Sequence, residues 1–215
     1  LLGAFLARTP LTALVAVPSD PRARRWLAVY SASAGVGLGG LLACYGRWGL
    51  LALAVPAAGS LAASLWLTAR RRAMSEAHEL IAVAGLALGA PGAYHAATGA
   101  WAAQAAWLWA LSALFFSGPV FHVKMLVLGR AASPHAGRAA ARSAAFHALA
   151  LGLVLAGVLF GALPAVSTVP FMAALVKTLF FAARRGGRLE LKRVGWQEVG
   201  WAVVFVGLSA AGFRG

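Results

Sequence analysis

Apolar residues run along this chain in long blocks, with no two-residue alternation of the kind that marks a half-buried strand. Eight blocks can be drawn, near 1–17, 26–45, 48–68, 77–98, 101–123, 143–162, 164–182 and 195–213. A helix of about 20 apolar residues spans the roughly 30 Å hydrocarbon core of a bilayer. It also satisfies its own backbone polar groups where no water can. The pattern therefore predicts an all-α, polytopic transmembrane bundle of eight helices, formed as a single domain over 1–215. The tight joints at Arg47, Gly99 and Leu163-Pro164 read as helical hairpins.

Polar residues collect between the blocks, and their charge alternates. Arg22, Arg24 and Arg25 share one loop, and Arg70, Arg71 and Arg72 the next on that side. Lys124, Arg130, Arg138 and Arg142 follow, then Arg184, Arg185, Arg188, Lys192 and Arg193. The other side has Arg47 and Arg214, a bias of fifteen basic residues to two. Such a bias places the basic loops in the cytoplasm and the C-terminus outside.

Composition supports the same class. The chain is 61% hydrophobic and 11% charged, against about 45–50% and 25% for soluble domains. Its net charge of +14 would suggest nucleic acid in a soluble protein. Here the cations lie in short loops, so membrane lipids are the expected partner and nucleic acid is not. Cys44 is the one cysteine and cannot form an intramolecular disulfide. "SASAGVGLGG" at 31–40, and Gly85 with Gly89, space small residues for close helix contact. Trp26, Trp48, Trp101, Trp196 and Trp201 fall near span ends, as an interfacial belt does. The leucine at position 1 and the lack of a basic leader suggest that an N-terminal segment precedes this sequence.

Ionisable groups in apolar spans are costly and mark candidate sites. Glu76, His78 and Glu79 open the fourth span, His122 and Lys124 close the fifth, and His147 lies a turn into the sixth. Lys177 sits two turns before the end of the seventh, Glu198 a turn into the eighth, and Arg8 within the first. All but Arg8 fall toward the basic side; His95 is on the other. Any one of them has an ordinary explanation as a group that snorkels to water. Their agreement predicts a polar cavity open to the cytoplasm, with Lys177 and Glu198 as an ion pair. The candidate ligand-binding set is Arg8, His78, Glu79, His122, Lys124, His147, Lys177 and Glu198. His122 and Lys124, two residues apart, point about 200° from each other on a regular helix, so His122 is expected inward.

Three chemistries suit such a cavity. It would bind an anionic lipid, isoprenoid or quinone-like headgroup through its cations. Two facing histidines among His78, His122 and His147 would ligate haem b. Glu76 and Glu79, a turn apart, would hold one metal ion at most. No GxSxG, HExxH, Walker or GxGxxG pattern is present, so no catalytic residue or resident metal is assigned.

The stretches "HELIAVAGLALGAPGAYHAATGAW" (78–101), "LWALSALFFSGPVFHVKMLVLGR" (108–130), "AAFHALALGLVLAGVLFGALP" (144–164) and "LELKRVGWQEVGWAVVFVGLSAAGFR" (189–214) resemble the YwiC-like family of bacterial integral membrane proteins. That family opens with a Glu-His-Gly-Ala-Trp segment and a helix that this sequence lacks, so the resemblance implies nine helices and a bacterial inner membrane. The arrangement is also similar to UbiA-type prenyltransferases, which hold Mg-diphosphate on two aspartate-rich motifs. The matching places are "AVPSDPRARRW" (16–26), with Asp20 alone, and "FFSGPVFHVKMLVLGR" (115–130), with no acid. This departure argues against metal-dependent prenyl transfer. The resulting expectation is a non-catalytic binding protein, an accessory subunit among other membrane subunits. A prenyltransferase-type enzyme and a haem-bearing redox subunit are the alternatives.

Overall fold

The computed structural model describes residues 2–70, 72, 75–183 and 191–213. Among these, every regular element is helical: α1 Leu2–Ala16, α2 Pro21–Tyr45, α3 Ala54–Ala69, α4 Glu76–Ala87, α5 Gly89–Thr98, α6 Ala103–Arg130, α7 Ala136–Leu159, α8 Thr168–Ala183 and α9 Leu191–Gly212. Short 3₁₀ helices, Trp48–Leu53 and Ala165–Ser167, lead into α3 and α8.

Among the described residues, seven segments are long and apolar enough to cross a membrane: Pro21–Tyr45, Trp48–Ala69, Glu76–Thr98, Ala103–Arg130, Ala136–Leu159, Ala165–Ala183 and Val194–Gly212. The chain is a multi-pass helical membrane protein. Its exterior agrees, since Leu159 and Phe160 are 85% and 87% exposed. Large apolar side chains so placed on most helices suit lipid, not water. The first expected span is α1, whose 15 residues rise only about 22 Å.

Prolines explain where the helices break. Pro56, Pro91 and Pro170 are each the third residue of their α-helix, where an N–H would find no partner within the helix. Each ring lacks the donor that would join its helix to the turn before it. The fourth span is accordingly two helices meeting at Leu88, and the third and seventh each begin as 3₁₀. Pro21 opens α2 in the same way. Asp20 caps α2: its Oδ1 accepts from the backbone N–H of Arg22 at 2.9 Å and of Ala23 at 3.2 Å. Ser75 caps α4 through the His78 N–H, with Glu76 and Glu79 in the favourable first turn.

The fifth and sixth spans differ from the sequence boundaries. Helix α6 continues through Pro119 as far as Arg130, and α7 starts at Ala136, seven residues early. A chain with no strong breaker after Pro119 goes on hydrogen-bonding to itself until the turn at 131–135, where Ala132 takes φ 47°. Lys124, Arg130, Arg138 and Arg142 thus ride on helices, not in a loop. Arg184, Arg185 and Arg188 lie outside the described residues.

The chain forms two compact units, Leu1–Trp109 and Ala110–Gly215. In the first, α1 packs on α2 and α3, and α3 on α4. Gly85 of α4 lies against Ser60 of α3, a close contact between small residues. Gly35, Gly37, Gly39, Gly40 and Gly89 meet nothing, so the small-residue run in α2 does not serve packing among the described residues. In the second unit the core is Leu111, Phe115, Ala150, Val154, Leu163, Phe171 and Phe205. Phe115 and Phe205 stack with ring centres 4.3 Å apart, and Phe171 meets Phe115 edge-on at 5.9 Å.

Candidate functional site in the second unit

Four helices of the second unit bring polar side chains together above that aromatic core. His122 on α6 is 1% exposed. Its Nδ1 shares a 3.2 Å hydrogen bond with Oγ1 of the fully buried Thr178 on α8, and its ring meets Phe181 edge-on. Lys124, two residues on, is exposed. The helical angle between them separates the two residues onto opposite faces.

His147 on α7 is 5% exposed. Its Nδ1–H donates to the carbonyl of Ser143 at 2.7 Å, because a carbonyl can only accept. The neutral ring therefore has its lone pair on Nε2. That nitrogen lies 2.9 Å from where a Cβ on Gly118 would stand. Gly118, of the Ser-Gly-Pro stretch, gives the imidazole its seat against the α6 backbone. The hydroxyl of Ser143 is buried without a hydrogen-bond partner among the described residues.

Lys177 follows the aromatic core by two turns on α8, one position before Thr178. Its Nζ meets Oε1 of Glu198 on α9 at 2.5 Å, with side chains 14% and 19% exposed. The ion pair expected from their similar depth is present. Lys177 lies within electrostatic reach of both imidazoles, and Glu198 of His147. Beside the pair opens a groove of about 380 Å³ lined by Lys177, Phe181, Gln197, Gly200, Trp201 and Val204. Phe181, Trp201 and Val204 supply apolar wall; the ion pair and the Gln197 amide are its polar features.

The remaining candidates lie in the first unit. His78 is buried at the start of α4 and Glu79 is half-buried one residue on. Arg8 belongs to α1, but its side chain lies outside the described residues. Asp20, the lone acid in the first aspartate-poor stretch, is occupied as a helix cap. Among the described residues no three His, Cys, Asp or Glu side chains gather as a metal site would. Sequence reasoning missed Thr178, Ser143, Gly118 and the groove residues other than Lys177. A hydroxyl next to Lys177 in the same span was the available signal for Thr178, and nothing in composition marks the rest.

No curated protein and no solved structure matches the chain. A family model does: residues 1–94, ending within α5, match the family described as YwiC-like protein.

Proposed function

We propose that this multi-pass protein is a non-catalytic binder of an amphipathic membrane molecule with an isoprenoid or quinone-like character, whose polar head meets Lys177 while its apolar part lies in the adjoining groove. The observation that carries this reading is the Lys177–Glu198 pair at the wall of an otherwise largely apolar groove. Because Glu198 balances the charge on Lys177, the groove favours a hydrogen-bonding head such as a carbonyl over a strongly anionic one. An ammonium shared between a carboxylate and a ligand oxygen retains donors for both. Buried ionic groups in a membrane span are expensive, and a ligand that engages them gives the expense a use. In the same reading the basic loops face the bacterial cytoplasm and the protein serves a larger membrane complex.

The test is extraction and mass spectrometry of lipids and quinones that co-purify with the protein. Lys177→Met should release an isoprenoid or quinone species that the wild type retains. Identical extracts from wild type and Lys177→Met would overturn the proposal.

A further inference from the structure

The first unit carries a second polar cluster, at the ends of α2 and α5 away from Asp20 and Glu76. Two turns meet there. The first, after α2, holds Gly46, Arg47 and Gly49; the second, after α5, holds Gly99 and Trp101. Arg47 Nε donates to the carbonyl of Ala96 at 3.1 Å, one of the last carbonyls of α5, where a cation is favourable. Gly99 has φ +79°, and Nη1 of Arg47 occupies the place where a side chain would begin. Only glycine allows both that backbone and that approach.

Gly49 repeats the arrangement two residues along. Where its Cβ would stand, His95 Nε2 lies 2.5 Å away and Trp101 Nε1 2.9 Å away. His95 and Trp101 stack with ring centres 4.4 Å apart and planes 17° from parallel. His95 is 5% exposed, and its Nδ1 has no hydrogen-bond partner among the described residues. A buried ring nitrogen left in this state points to a partner that comes from outside the chain.

Charge decides what that partner is. Asp20 lies at the far end of the 25-residue α2, about 37 Å away at helical rise. Glu76 and Glu79 begin the segment that ends at Thr98, 23 residues long, and so lie about 30–34 Å off. The guanidinium donates to a carbonyl, and among the described residues no carboxylate pairs with it. A planar cation in that position, with an indole N–H and an imidazole against Gly49 two residues along, suits the oxygens of a phosphate.

We propose that Arg47, His95 and Trp101 form a phosphate-binding site at this end of the first unit, suited to the phosphodiester of an anionic lipid headgroup. Trp48 and Trp101, both exposed, are the residues that sit at headgroup level. The site is independent of the groove beside Lys177, and either can fail without the other.

The experiment uses the full chain in detergent, with native mass spectrometry of bound phosphatidylglycerol against phosphatidylcholine. Wild type should retain the anionic lipid preferentially. Arg47→Met should weaken that retention at least tenfold, the factor carried by one charge-assisted hydrogen bond. Arg47→Lys, which keeps the charge but not the planar fork, should fall between, and Gly129→Ala, where a Cβ meets nothing, should match wild type. Inorganic phosphate and glycerol phosphate, tested by thermal shift, separate the sources. Stabilisation by either, absent in Arg47→Met, makes a free phosphate a sufficient ligand; a response to the lipid alone makes it a headgroup site. No preference in the wild type, a measurement that depends on no variant, overturns the proposal. So does an equal preference in Arg47→Met.

Discussion

Lys177 and Glu198 stand 21 residues apart in sequence, on α8 and α9, yet their charged atoms meet at 2.5 Å with both side chains mostly buried. Two charges in a membrane segment stabilise little by attraction alone, because each has lost its hydration. Removing one partner is another matter, since the survivor keeps the desolvation cost without compensation.

Lys177→Met should therefore destabilise by about 3 kcal/mol, at the low end of values for breaking a buried pair because neither group is wholly buried. Glu198→Gln should cost a similar amount. The double variant should recover much of the loss, giving a coupling of about 1–3 kcal/mol. Denaturation in detergent, run as a double-mutant cycle, measures it. Additive losses would show that the two charges do not stabilise each other.

Gly118 supplies a second test, in which two known effects have opposite signs. Alanine in a helix interior is favoured over glycine by about 1 kcal/mol, so a glycine without neighbours should gain from the exchange. At Gly118 the new methyl would meet His147 Nε2 at 2.9 Å. The ring must then tilt, at the expense of the Nδ1–Ser143 hydrogen bond. Overpacking and the lost bond together amount to about 2–3 kcal/mol. Gly118→Ala should lower the melting temperature, and the same change in a His147→Ala background should not. Gly129, whose Cβ would meet nothing, is the control; Gly129→Ala should be neutral or stabilising.

These two contacts also show what a sequence can carry. The spans were legible because hydrocarbon thickness imposes a length on every crossing helix. The Lys177–Glu198 pair was legible because two opposite charges at equal depth in neighbouring spans have few other ways to be satisfied. The seat of His147 on Gly118 was not, since periodicity gives the face of a helix but not the rotation of its neighbour. The end of α6 was missed for a different reason. His122 and Lys124 read as the close of the span, whereas the same unbroken helix carries the inward His122 and the exposed Lys124 and runs on to Arg130.

Asp20 offers a third prediction, which separates a structural carboxylate from a metal-binding one. As the cap of α2 it needs a side-chain acceptor, not a charge. Asp20→Ala should cost about 1 kcal/mol, and Asp20→Asn or Asp20→Ser much less. Thermal unfolding of the three variants decides it. Equal losses in Asn, Ser and Ala would mean that the negative charge matters, and would reopen the stretch at 16–26 as part of an anion-metal site.

The last prediction concerns which way the helices run. Fifteen cations toward one side against two toward the other predict, by the positive-inside rule, the turn at 131–135 in the cytoplasm and the turn at 99–102 outside. Ala100 and Ala131 are exposed residues in those turns, and the exposed Cys44 can be removed as Cys44→Ala. In that background Ala100→Cys should react with a membrane-impermeant maleimide on intact cells. Ala131→Cys should react only after permeabilisation. The reverse pattern would place Arg47, His95 and Trp101 on the cytoplasmic side. A phosphate ligand for them would then be drawn from the inner leaflet, whose anionic lipids are held by polybasic segments as well. Reaction of both cysteines in intact cells would refute the crossing of the membrane between these turns.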